Sequence, residues 1–306
     1  MNLELCSKVI DNPTPENFSK IDWEIIDEIS PEEAQMLLNV IITHRDEIES
    51  FRLVAPKISA KSYLILLSGL SQLNSLKMLD LYATPLHIAI TETSSFLSLL
   101  FKNNPLQEVQ LSLMNSDIKS KLLPQSLFGI TTLQKVSLYN FDLNQIKVPL
   151  NQLISLKLKS GTLGNFLGNF TDDSNIKIFE LANYLFSASD LSLIYNVLAK
   201  KQIEHFSCAN CNITDTIASE LLNVLKMCNN LQSLNLQQNK MTSTAIEKLL
   251  TLIKNDYLPT LRQVNLRHNL FDTMHPSLIT LMKKLESRED HITHKEPVID
   301  VKKPSC

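Results

Sequence analysis

Apolar residues in this chain alternate in short bursts, and the bursts recur at a regular distance. Leu231, Leu234, Leu236, Asn239 and Met241 share their spacing with Leu261, Val264, Leu266, Asn269 and Phe271. Both sets fit L-x-x-L-x-L-x-x-N-x-L without a gap. The same skeleton starts upstream at Ile203, Ile176, Leu153, Leu133, Leu76 and Ile48, and its first half starts at Leu106. Starts at 48, 76, 106, 133, 153, 176, 203, 231 and 261 lie 28, 30, 27, 20, 23, 27, 28 and 30 residues apart. Phe18, Ile21, Trp23 and Ile26 read either as an earlier unit or as a capping helix.

The period-two core of each unit predicts a short strand with one buried face. One such strand cannot bury its apolar side alone, whereas stacked copies share a continuous core. In the longer units a helical pattern follows. Residues 59–73, 214–227 and 242–253 place apolar side chains on one face, and Ser187, Thr214 and Thr242 stand where an N-cap is wanted. Units starting at 133 and 153 are too short for a full helix. Pro124, Pro149 and four of the five glycines lie near them, which predicts irregular outer segments there. Ser30-Pro31-Glu32-Glu33 has the form of a capping box opening a helix. The expected division is therefore 1–47 as an N-terminal helical cap, 48–289 as about nine repeats and 290–306 as a polar, fraying tail.

On these repeats the chain resembles the leucine-rich-repeat family, in particular its ribonuclease-inhibitor-like class with long helical repeats. The resemblance spans roughly residues 48–289. It implies an α/β solenoid: a horseshoe with a parallel sheet on its concave side and helices outside. In that family the ninth position, usually Asn or Cys, bonds the backbone of neighbouring turns. Asn239, Asn269, Cys211 and Thr84 suit that role here. Met114, Phe141, Gly161 and Tyr184 depart from it and argue against a continuous ladder through the middle.

Composition narrows the function. A net charge of −3, from 29 basic and 32 acidic residues with no dense basic run, argues against nucleic acid as a partner. The five cysteines are an odd, scattered set that suits a reducing compartment. No secretory signal is visible at the N-terminus, and no apolar run approaches the ~18 residues of a membrane span. The reading is a cytoplasmic monomer. Cys208-x-x-Cys211 lacks a second ligand pair for zinc, and both residues sit at repeat positions, so they read as core. His291 and His294 lie in the polar tail. With no local catalytic motif, neither an enzyme nor a metal or cofactor is expected.

Positions three, five and seven of each repeat should leave the sheet on the side opposite the core. That face mixes charges with aromatics, and contact hot spots are rich in Tyr and Arg. Arg52, Asp80, Tyr82, Tyr139, Lys157, Lys159, Glu180, His205 and Arg267 are the expected contacts with a protein partner. The chain is also similar to leucine-rich-repeat effectors of Legionella-type intracellular bacteria in its Asn-, Lys- and Ile-rich composition and irregular repeats. Glu286, Glu289 and Asp290 are similar to an acidic type IV secretion signal. That resemblance implies a virulence role, delivery into the host-cell cytoplasm by a non-Sec route, and a host protein as partner. The alternative is a regulator of an enzyme, resembling repeat-type GTPase-activating proteins or ribonuclease inhibitors.

Overall fold

One strand per repeat, paired in register with the next, is the rule that builds this chain. The computed structural model describes residues 9–10, 18–25, 27–83, 90–113, 125–186, 188–199, 202–272 and 274–289. Ile26, Thr84, Leu86, Met114, Pro124, Ser187, His291, His294 and the 290–306 tail lie outside the described residues. Contacts divide the chain into two units, residues 1–153 with 161–169 and residues 154–160 with 170–306.

The first unit carries β1 (Val9–Ile10), β2 (Lys20–Ile25), β3 (Ser50–Ala55), β4 (Met78–Ala83), β5 (Glu108–Leu113) and β6 (Lys135–Asp142). From β2 to β6 each strand pairs parallel with the next, so that Ile21, Phe51, Leu79, Val109 and Val136 share one inward row. All five are fully buried, which removes the area that drives stacking, about 1.5–3 kcal/mol per large side chain. Of the two readings open for residues 18–26, the strand is the one realised: Ile21, Trp23 and Ile25 alternate inward along β2. Trp23 meets Phe51 edge-on at 5.5 Å between ring centroids. β1 pairs antiparallel with β2 and covers the edge that β2 would otherwise expose.

Helices α1 (Pro31–Thr43), α2 (Ala60–Leu70) and α3 (Ile90–Asn103) return the chain between these strands. The capping box at Ser30 forms: Glu33 N donates to Ser30 Oγ at 3.1 Å, and Ser30 N donates to Glu33 Oε2 at 2.7 Å. Buried Asn104, at the end of α3, ties two turns together. It accepts from Leu76 N at 2.8 Å and donates to Leu73 O at 2.8 Å. Where the repeats shorten, 3-10 turns at Gln125–Leu127 and Phe166–Asn169 replace helices. Gly161 has the closest backbone neighbour among the glycines there. Its φ of +105° favours glycine, and a Cβ would run into the backbone of Phe141.

The second unit carries β7 (Ser155–Thr162, of which 155–160 belong to it), β8 (Ile178–Ala182), β9 (His205–Ala209), β10 (Ser233–Asn235) and β11 (Gln263–Asn265). They pair parallel in sequence. Outside them lie α4 (Ala188–Ala199), α5 (Asp215–Leu225), α6 (Ser243–Lys254) and α7 (Pro276–Glu289). Thr242 caps α6 by accepting from Thr244 N at 3.3 Å. Thr214 holds the N-cap place of α5 but makes no side-chain cap bond, a correction to its expected role. Its neighbour Asp215 instead accepts from Thr242 N and Thr242 Oγ1, at 2.8 and 2.6 Å.

The ninth-position ladder runs through this unit. Asn239 Nδ2 donates to Cys208 O and Leu236 O at 2.8 and 3.0 Å, and its Oδ1 accepts from Cys211 N and Ile213 N at 2.9 and 3.0 Å. Asn269 repeats the scheme one turn on, donating to Leu236 O at 2.9 Å and accepting from Met241 N at 3.1 Å. Cys211 donates through Sγ to Ala209 O at 3.3 Å. Tyr184, expected to break the ladder, extends it instead: its hydroxyl donates to Ser160 O at 2.7 Å. The longer side chain reaches a carbonyl of the preceding repeat in place of an amide.

A second periodic device sits one residue earlier. Asn140, Ser160, Asn183, Asn210, Gln238 and His268 all occupy position eight of their repeats, and all have φ between 53° and 65°. Asn183, Asn210, Gln238 and His268 turn the chain just past their strands through the left-handed region, whereas Asn140 and Ser160 bend β6 and β7 from within. Asn enters that region more readily than most residues, which fits three of the six.

Candidate partner-binding surface

Strand pleating puts every second side chain on the sheet face away from the helices, and parallel register lines them up in rows. In the first unit the position-five row is Asp22, Arg52, Asp80, Gln110 and Ser137. The position-seven row is Glu24, Val54, Tyr82, Ser112 and Tyr139. Position three adds Lys20, Ser50, Met78, Glu108 and Lys135.

Opposite charges at equal positions in successive repeats meet across the strands. Arg52 Nη1 lies 2.9 Å from Asp22 Oδ1, and Arg52 Nε lies 3.4 Å from Asp80 Oδ2. The Asp22 contact, first among the causes, pushes the Arg52 guanidinium further up from its ordinary value. Burial pushes the Asp80 carboxyl up, against the pull of Arg52. Its side chain is 19% exposed, and Oδ1 is buried without a hydrogen-bond partner. Lys135 and Glu108 pair at 3.0 Å. Across the three rows four carboxylates face three cations, which leaves this face acidic by one charge.

Tyr82 and Tyr139 share the position-seven row, with Ser112 between them. Both rings are half-buried, and Ser112 is 7% exposed. Two strand spacings separate the rings' backbones, or roughly 9.6 Å. Ser112 thus lies buried between two strands that each carry a tyrosine in the same row.

The second unit has its own open face. Lys157 pairs with Glu180 at 3.0 Å, and His205 stands in register between Ile178 and Ser233. Lys159 is exposed in β7. Arg267 lies past the end of β11, in the turn, where Arg267 N donates to Asn265 Oδ1 at 3.2 Å. The nine expected contacts thus divide between the two units: Arg52, Asp80, Tyr82 and Tyr139 in the first, and Lys157, Lys159, Glu180, His205 and Arg267 in the second. Asp22 escaped the sequence reading, although a carboxylate one repeat before Arg52 at the same position was the signal for it.

Cys208 and Cys211 are both buried, in keeping with a core role. Among the described residues no cluster of His, Cys, Asp and Glu is arranged to hold a metal ion. Among the same residues no helix is long and apolar enough to cross a membrane.

Parallel strands one repeat apart, helices outside in the longer repeats and an Asn–Cys–Tyr ladder inside define the class: this is a leucine-rich-repeat α/β solenoid. No family model matches the chain, and no curated protein matches it. Among solved structures it is similar to a protein from Bacteroides fragilis, at 10% identity and a TM-score of 0.46 over 90% of this chain and 73% of the other. It is also similar to an internalin from Listeria monocytogenes, at 15% identity and a TM-score of 0.32 over 82% and 87% of the two chains. A leucine-rich-repeat protein of Leptospira interrogans matches at 13% identity and a TM-score of 0.35 over 90% and 75%.

Proposed function

We propose that this chain is a protein-binding scaffold and that the Tyr82–Ser112–Tyr139 row of the first unit is the centre of its contact surface. The observation that carries the reading is the pair of half-buried tyrosines held in register on a hydrogen-bonded sheet. Aromatic side chains fixed on a rigid frame lose little entropy on binding, which is why contact hot spots favour them. Arg52, Asp80 and their neighbours then form the polar rim. Lys157, Lys159, Glu180, His205 and Arg267 offer a second contact area, with three cations to one carboxylate.

The sequence resemblance to intracellular-bacterial effectors extends this reading to a host protein as partner, bound by a monomer that carries out no chemistry of its own. Affinity capture from host-cell lysate tests it, comparing the wild-type chain with a Tyr82→Ala/Tyr139→Ala variant of matched circular dichroism. A protein retained by the wild type and lost by the variant is the expected result. Equal recovery by both would remove this face from the binding site.

A further inference from the structure

We propose that the turn edge of the second unit holds a binding site of its own, a groove that takes the terminal carboxylate of a peptide whose last side chain is aliphatic. It uses none of the nine contact residues named above, so it stands or falls apart from them.

The groove lies where the chain leaves β8, β9 and β10. Asn183, Asn210 and Gln238 fill position eight of their repeats with φ of 60°, 53° and 56°, and Leu185, Asn212 and Lys240 fill position ten. Backbone bonds stack these turns in register. Asn183 N donates to Ala209 O and Asn210 N to Gln237 O, both at 3.0 Å, and Lys240 N donates to Ile213 O at 2.9 Å. The six side chains are exposed and line a groove of about 280 Å³. That volume is at the small end of ligand sites and suits a chain end.

The walls select an anion. Asn210 Nδ2 donates to Asn183 Oδ1 at 2.9 Å. This bond uses one of the two Nδ2 hydrogens of Asn210 and neither of Asn183's, so donors remain on that wall. Lys240 is the cation of the groove, no carboxylate lines it, and among the described residues none pairs with Lys240. Amide donors around one ammonium suit a singly charged carboxylate, which accepts through both oxygens.

The apolar part selects what stands beside the charge. Leu185 is 83% exposed, and Leu270 and Met274 are 67% and 72% exposed. These are the three most exposed large apolar side chains among the described residues, and all three lie in loops that lead from a strand of this unit to its helix. Apolar surface left uncovered and gathered on one edge marks a contact site. A carboxylate next to an aliphatic group is what a peptide ending in leucine or valine offers, whereas an aspartate side chain brings the charge alone.

The test uses the full chain with methyl-labelled leucine, the Leu185 signal being assigned from Leu185→Met. The probe is N-acetyl-leucine, with N-acetyl-leucine amide as its uncharged counterpart. A saturable shift of the Leu185 methyls is expected, with binding about fivefold weaker for the amide. Lys240→Gln should bring the acid down to the level of the amide, and added salt should weaken the acid alone. N-acetyl-glycine, which keeps the carboxylate without the aliphatic side chain, should bind several-fold more weakly. If Lys240→Gln fails to fold, the comparison of acid with amide on the wild-type chain still decides.

Equal binding of acid and amide, or no shift at Leu185, overturns the proposal. So does an N-acetyl-aspartate α-amide that binds as tightly as N-acetyl-leucine, because the site would then need no chain end.

Discussion

The Tyr184 hydroxyl donates to Ser160 O across 2.7 Å, at the position where the repeats that follow use cysteine and asparagine. The side chain is 6% exposed, and burial drives its phenol well above the ordinary tyrosine value. Tyr184→Phe keeps the ring and removes only the donor, leaving a backbone carbonyl without its partner. A loss of about 1–1.5 kcal/mol in urea-induced unfolding is expected. The direction of the shift makes a second statement. Tyr63 is buried alike and pushed up alike, and burial beside Glu220 pushes Tyr195 up to about 12, so these three phenols should stay un-ionised at the ordinary tyrosine value of about 10. A phenolate absorbance titration reads this directly.

Asn239 carries more than any other ladder residue. Its amide meets three carbonyls and two N–H groups on two successive repeats while 4% exposed. Asn239→Ala strands those groups in the core, and about 3–5 kcal/mol should be lost. Asn239→Asp keeps the acceptor but turns a carboxylate toward Cys208 O and Leu236 O, so it should not rescue. Asn269→Ala, in the last repeat, should cost about 2 kcal/mol, because fewer turns depend on it. Chemical denaturation of the three variants ranks them.

These two ladder residues were legible because L-x-x-L-x-L-x-x-N is contiguous and each letter has one physical job. Tyr184 was misread because the family pattern names a residue type, whereas the fold needs only a donor that reaches the next turn. The left-handed residue at position eight was hidden for a related reason. Asn140, Ser160, Gln238 and His268 have nothing in common but a backbone angle. β2 was half-legible: Ile21, Trp23 and Ile25 alternate as a strand should, yet Phe18, Ile21 and Ile26 also admit a helix. The outward rows could be numbered from the repeat alone. Which residues pair within them could be inferred only by comparing equal positions, as Asp22, Arg52 and Asp80 show.

Gly161 marks a place where two short repeats approach closely through their backbones. Its φ of +105° is costly for any residue with a Cβ, and that Cβ would overlap the Phe141 carbonyl. Gly161→Ala should therefore lose at least ~2 kcal/mol, more than backbone entropy alone explains. Gly129, in the same stretch, has only ordinary contact at its Cβ position, so Gly129→Ala serves as the control and should be near neutral. Thermal unfolding of the pair distinguishes a steric requirement from a general need for glycine.

The Arg52–Asp80 contact makes a prediction about pH whose sign is opposite to that of an ordinary ion pair. Burial raises the Asp80 carboxyl above its unfolded value of 3.8, so the folded chain binds that proton more tightly than the unfolded one. Its contribution to stability is then full below the unfolded value and lost as pH rises through the folded one. Asp80→Asn removes the titration and leaves Arg52 its contact with Asp22 at 2.9 Å. At pH 7 this variant should match or exceed the wild type by up to ~1 kcal/mol, and the difference should vanish by about pH 3. Arg52→Gln should do the reverse at pH 7: it leaves two neighbouring carboxylates without their shared cation, and acid should narrow the deficit. Denaturant unfolding of both variants at pH 3, 5 and 7 decides between them. A wild-type chain that gained stability from pH 3 to 5 relative to Asp80→Asn would mean that Arg52 outweighs burial at this site.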